Sequence, residues 1–206
     1  TPWLWSTGAT SYDINNDNGI KALTLVKDLV DAGSMSKEVI NWTQGDVMNQ
    51  FISGNIAMMV NGPWQVPTMR EQAPDLNWDV TLLPKDAEYA SCLGGENFGV
   101  IDGDNVDAAL DFLQFATSKD EVASYIDDFG YIAARKDVAE GQFTDDETMQ
   151  KFTEEMQYAQ PRGPHAQWPE ISDALSLAVN ESITGTSAPA DAAAKAQSTI
   201  DGILAE

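Results

Sequence analysis

The stretch Phe51-Ile52-Ser53-Gly54-Asn55-Ile56-Ala57-Met58-Met59-Val60-Asn61-Gly62-Pro63-Trp64 carries the densest structural punctuation of the sequence. Ahead of it, Val47, Met48, Phe51 and Ile52 recur at helical spacing, and Gly54 closes that helix. Residues 56–60 form the longest uninterrupted apolar run in the chain, which predicts a buried strand over 56–61. Gly62-Pro63 breaks the strand. Proline fits the first turn of a helix, so a helix is expected over 64–71. Helix, strand and helix in so short a space is the pattern of an α/β domain.

Working outward, a turn-rich segment at 15–19 precedes Ile20, Leu23, Val26, Leu29 and Val30, a helical stripe that Gly33 ends. Residues 77–83 alternate well enough for a second strand, stopped by Pro84, and 98–101 reads as a third after the Gly94-Gly95 turn. Beyond it the chain is mostly helical, over 106–117, 119–127, 145–159, 168–185 and 190–204. In the last of these, Asp191, Lys195, Ser198 and Asp201 face away from Ala192, Ala196, Ile200 and Ile203. No repeat or low-complexity tract interrupts the pattern.

Composition narrows the function classes. The 206 residues allow one domain, or one and part of another. With 11 Lys+Arg against 33 Asp+Glu the net charge is −22. Nucleic acids are held through cation clusters, so a nucleic-acid role is excluded, and an anionic lipid surface would repel the chain. A hydrophobic content of 43% is too high for disorder. Half of the net charge lies between residues 102 and 155, where 15 acids face 4 bases, interleaved with apolar helical positions as on a solvated helix face. The opening Thr1-Pro2-Trp3-Leu4-Trp5 has no leader segment and reads as a piece of a longer protein.

Catalytic constellations are scarce. Cys92 is the only cysteine, which leaves no internal disulfide and no Cys-based zinc site. His165 is the only histidine, and it sits in a loop before Ala166-Gln167-Trp168-Pro169. Asp13, Asn15 and Asp17 alternate without the glycine or distal glutamate that a calcium loop requires, and Asp102-Gly103-Asp104 does not continue into one. No metal or cofactor is expected, and no catalytic residue.

The tryptophans are more informative. Of Trp3, Trp5, Trp42, Trp64, Trp78 and Trp168, several fall at element ends beside Asn, Gln or Gly. Trp64 follows a Gly-Pro break, Trp42 stands between Asn41 and Thr43, and Trp168 precedes a proline. Aromatic rings at such junctions suit a cleft wall, and a flat ring matches the apolar C–H face of a sugar.

The 51–64 stretch resembles the F-x-x-G-x-x-A-M-x-x-x-G-x-W signature of extracellular solute-binding proteins, in particular the maltose/maltodextrin-binding type of sugar receptor that serves ABC importers. Leu93-Gly94-Gly95-Glu96-Asn97-Phe98-Gly99-Val100 and the run from Pro161-Arg162-Gly163-Pro164 to Trp168-Pro169-Glu170-Ile171 are similar to later parts of the same family. The resemblance runs along nearly the whole chain, but family members are about twice as long. It therefore implies a helix-rich α/β fold of the periplasmic-binding-protein-like II type, mainly its second, C-terminal lobe. Residues 1–93 and 137–206 would form that lobe, and 94–136 would cross a hinge into an N-terminal lobe that is otherwise missing.

The same resemblance implies capture without chemistry: a mono- or oligosaccharide is bound in a cleft and delivered to a membrane permease. Trp64 would be a stacking platform. Gly94 and Gly95 would offer backbone N–H groups, with Glu96 beside them, where many relatives carry an aromatic. Arg162 would donate paired hydrogen bonds to neighbouring hydroxyls. Trp5, Trp42 and Trp168 are further cleft candidates. The implied location is extracellular, as a cell-surface lipoprotein or in the periplasm. Apolar positions in 98–130 would be exposed without the first lobe, or would join two copies of the chain as a dimer. The alternative reading is a carbohydrate-active enzyme fragment or a carbohydrate-binding module, which use aromatic platforms too; hydrolysis would need a carboxylate pair about 5–10 Å apart.

Overall fold

The structure, a computed structural model, describes residues 1–205. In chain order its elements are α1 (Pro2–Ser6), α2 (Asp17–Asp31), α3 (Gln44–Ile52), α4 (Val66–Gln72), β1 (Ser91–Leu93), α5 (Val106–Ala116), α6 (Lys119–Tyr125), α7 (Lys136–Ala139), α8 (Glu147–Glu155), β2 (Ala159–Pro161), α9 (Trp168–Thr184) and α10 (Pro189–Leu204). Local chemistry sets the helix starts. Asn16 accepts from the Gly19 amide at 2.9 Å to cap α2, and Asp146 accepts from the Met149 amide at 3.1 Å to cap α8. Prolines occupy the first turns of α1, α4, α9 and α10, where a missing N–H costs nothing. Gly185, in the left-handed region at φ +77°, ends α9.

The chain divides into two compact units. Unit 1 comprises residues 1–43, 83–94 and 158–206. Its core is a helical layer in which α9 and α10 pack against each other and on α2. Ile14, Leu23, Ile171, Ala193 and Ile200 are buried there, with Ile171, Ala193 and Ile200 at 0% exposure. Gln197 of α10 ties the first loop to this layer: its Oε1 accepts from the Ile14 amide at 2.8 Å and its Nε2 donates to the Tyr12 carbonyl at 3.0 Å. Unit 1 also holds the sheet found among the described residues, a parallel β1–β2 pair with Ser91 opposite Ala159 and Leu93 opposite Pro161. Tyr89 and Tyr158 stack just ahead of the two strands with centroids 4.8 Å apart, and the Lys85 ammonium lies 4.6 Å from the Tyr89 ring centre.

Unit 2 comprises residues 44–82 and 95–157. Its cores are small, a cluster of Val122, Ala133 and Val138 being one of them. Helix α5 buries no residue fully. Arg70 of α4 forms a two-pronged ion pair with Asp146 at 2.7 and 2.8 Å, so one carboxylate both caps α8 and holds α4.

The helices follow the sequence reading closely, the helix expected at 64–71 beginning as a 3-10 turn, Pro63–Gln65. The strands do not. Segments 56–61, 77–83 and 98–101 carry no regular secondary structure, and Met58, Val60 and Ile101 are exposed. The physical reason is that a strand exists only with a neighbour to complete its ladder, and none pairs with these segments among the described residues. The pair that does form, β1 and β2, consists of two three-residue segments too short to show a period. Residues 44–82 and 137–157 pack in one unit with 95–136.

Candidate functional site

In unit 2, Gly62 and Pro63 turn the chain so that Trp64 folds back over its own backbone. A Cβ at Gly62 would lie 2.1 Å from the indole ring, so only glycine fits beneath it. A second close approach braces this turn. Gly130 has φ +67°, and a Cβ there would sit 2.8 Å from the Pro63 carbonyl oxygen and 2.9 Å from the Pro67 ring. The next residue, Tyr131, consequently places its ring beside Trp64, centroids 6.1 Å apart and planes inclined by 34°. Both aromatics are half-buried. The Tyr131 backbone is fixed on both sides, its amide donating to the Ile126 carbonyl at 3.3 Å and its carbonyl accepting from Gln142 Nε2 at 3.1 Å. Sequence reading missed Tyr131. The one available signal was a glycine directly before an aromatic, and nothing local to residue 131 points back to residue 64.

The other candidates fall as follows. Trp5 is 7% exposed, and its indole N–H donates to Ser11 Oγ at 3.1 Å, so it is a core residue of unit 1 with its polar group already satisfied. Trp42 is half-buried and ends the 3-10 turn Lys37–Asn41. Trp168 opens α9 and meets Tyr12 edge-on, centroids 6.4 Å apart, against the unit 1 core. Gly163, at φ +86°, lies beneath its ring. His165 Nδ1 accepts from the Gln167 amide at 3.1 Å.

Arg162 is exposed and joins no ion pair among the described residues. The β1–β2 register brings two distant positions together. Because Leu93 is paired with Pro161, Gly94 and Arg162 are the next residues along neighbouring strands. Gly95 and Glu96 are exposed and belong to unit 2. Unit 1 separately carries an open recess of about 520 Å³ bordered by Trp3, Asp17, Lys21, Asp28 and Asp86, in which Lys21 and Asp86 pair at 2.7 Å.

Electrostatics adds no acid–base pair. The Arg70 guanidinium, by hydrogen bonding, holds the Asp146 carboxyl below its ordinary range, and Lys195 does the same for Glu181. Both are ion pairs made from helices. No group of three or more His, Cys, Asp or Glu among the described residues is arranged to hold a metal ion. No helix among them is long and apolar enough to cross a membrane.

Comparison with known proteins places this geometry. A "Putative binding protein" of Brucella abortus (strain 2308) is 27% identical over 207 residues, matching 94% of this chain but 50% of its own length. An ABC transporter solute-binding protein from Thermotoga lettingae TMO, solved with α-D-tagatose, superposes with a TM-score of 0.84 at 25% identity, over 98% of this chain and 55% of that one. Maltose-bound MalE3 of T. maritima superposes with a TM-score of 0.81 at 21% identity, over 98% and 56% respectively. The chain thus spans about half the length of the relatives it matches, with the helix-rich α/β fold of the periplasmic-binding-protein type. A family model described as bacterial extracellular solute-binding protein matches residues 2–153, a family of binding proteins rather than enzymes, which sets aside the carbohydrate-active enzyme alternative. The chain belongs to the bacterial extracellular solute-binding protein family.

Proposed function

We propose that this chain is the sugar-contacting, largely C-terminal part of a receptor that captures a mono- or oligosaccharide and delivers it to an ABC permease at the cell surface or in the periplasm, lipid anchoring included. The observation that carries the reading is the Trp64 ring, held half-exposed on Gly62 in a turn built for it. An indole fixed in this way costs little ordering entropy when a sugar face stacks on it. The sugars in the structural relatives, α-D-tagatose and maltose, support the same chemistry. Gly94 and Gly95 are read as amide donors and Arg162 as a paired donor to sugar hydroxyls, with Glu96, Trp42 and Trp168 as further sugar-contacting residues. Trp5, buried and hydrogen-bonded to Ser11, supports the unit 1 core rather than the sugar.

In the complete protein residues 1–93 and 137–206 form the C-terminal lobe, and 94–136 crosses into the N-terminal lobe. Support comes from burial: within 94–136, Phe98, Ile101, Leu110, Phe112, Phe115 and Phe129 are large, apolar and exposed, a surface rarely left bare. On this partition Gly130 and Tyr131 lie where the crossing segment returns to the C-terminal lobe, against Pro63, Pro67 and Trp64, and the strand sequences 56–61 and 77–83 gain a sheet. A dimer through 98–130 is the competing way to cover that surface.

The test is calorimetric titration of the complete gene product with α-D-tagatose, maltose and a glycan array, with Trp64→Ala in parallel. A stacked ring lost should weaken binding by one to two decades, taking about 1–3 kcal/mol from the base-stacking scale. Absence of binding to every saccharide, or an unchanged isotherm for Trp64→Ala, overturns the reading.

A further inference from the structure

We infer that Tyr131 is a second sugar-binding residue, which extends the Trp64 platform and donates its phenolic hydroxyl to the hydroxyl rim of the sugar stacked there. The inference rests on the saccharide reading above and assigns a contact that the reading does not contain.

Three observations carry it. First, the two rings cannot sandwich a ligand. Their centroids are 6.1 Å apart, and a ring inserted between them would need about 3.5–4 Å on each side. They are also not closed on each other as Tyr89 and Tyr158 are at 4.8 Å. The two tilted rings form one aromatic wall, and Tyr131 is the neighbour of whatever stacks on Trp64. Second, the wall is rigid without a ligand. Gly62 fits under the indole and Gly130 against Pro63 and Pro67, each at a distance that admits no side chain, and both backbone groups of Tyr131 are hydrogen-bonded. Such fixed geometry is what a binding group needs, since less freedom is lost on association. Third, the Tyr131 hydroxyl makes no hydrogen bond among the described residues, whereas the Tyr125 hydroxyl of the same unit reaches the Ala116 carbonyl at 3.4 Å. A half-buried phenol beside an aromatic platform pairs an apolar surface with a free donor, the combination a pyranose presents in reverse.

The expected result concerns Tyr131→Phe and Tyr131→Ala in the complete gene product, titrated with whichever of α-D-tagatose, maltose or the array saccharides binds the unaltered protein. Tyr131→Phe, which keeps the ring, should weaken binding roughly 2–10-fold, the range of one neutral hydrogen bond. Tyr131→Ala should weaken it further, and its effect should not add to that of Trp64→Ala, because touching residues couple. Melting curves report folding; if Tyr131→Ala fails to fold, Tyr131→Phe decides alone. Saccharide binding that is normal in Tyr131→Phe overturns the inference and leaves the receptor reading intact. An unaltered protein that binds no saccharide overturns both.

Discussion

Unit 1 and unit 2 bury their apolar side chains to opposite extents. Unit 1 stacks α9, α10 and α2 around Ile171, Ala193 and Ile200, none of them exposed. Unit 2 leaves Phe112 at 61% and Ile101 at 92% exposure, and a helix, α5, with no fully buried residue. Burial of apolar area is the dominant favourable term in folding. Unit 1 therefore closes its apolar stripes among its own helices, whereas unit 2 leaves large apolar side chains exposed. The lesson is that burial is a local property of a chain: one unit covers its apolar positions, and the other presents many of them at its surface.

The largest effect should come from the unit 1 core. Ile171→Ala removes a fully buried side chain between α9 and its neighbours and should cost about 2–5 kcal/mol in urea unfolding. A cost below 1 kcal/mol would dissolve the contrast. Next is Gly130→Ala. It forces an alanine into a left-handed conformation 2.8 Å from the Pro63 carbonyl oxygen. A loss of about 1–3 kcal/mol is expected, with a shift in tryptophan emission as Trp64 is displaced. An unchanged spectrum would show that the Gly130 contact does not hold the aromatic wall.

Asp146→Ala should cost about 1 kcal/mol, mainly through the lost α8 cap, because a partly exposed ion pair adds little. The same carboxylate gives unit 2 a pH dependence. Its folded pKa is depressed, first by the Arg70 hydrogen bond, so its contribution is present above the unfolded value of about 3.9 and fades as pH falls through the folded one. Acid melts of Asp146→Asn should show that slope flattened below about pH 4, and an identical profile would count against it. The smallest effect is the most discriminating. Phe112→Ser in the 206-residue chain should change stability by less than about 0.5 kcal/mol, while lowering dye binding and self-association seen by light scattering. In the complete protein the same change should be strongly destabilising. Equal effects in both settings would mean that nothing covers α5.

What the sequence disclosed tracks how local each feature is. Helix ends were legible because Asn16, Gly33, Gly54, Gly185 and the prolines at 63, 169 and 189 act through bonds to their own neighbours. Strands were misread at 56–61 and missed at β1 and β2 for one reason: a ladder is made with a partner that periodicity does not reveal. Trp5 stood among the cleft candidates, yet α1 turns it inward and its indole N–H donates to Ser11 Oγ. Trp64 was legible through its Gly-Pro turn. Tyr131 was not, since its neighbour lies far along the chain and only the glycine contacts join them.

The parallel β1–β2 pair has an architectural consequence. Gly94 follows the end of β1 and Tyr158 precedes the start of β2, so the chain from residue 95 to 157 leaves at one end of the ladder and returns at the other, as a parallel pair requires. Closure entropy grows slowly with length, so an excursion of this size costs little more to close than a shorter one. The ladder and the tyrosine stack beside it thus act as a clasp that holds both ends of the excursion.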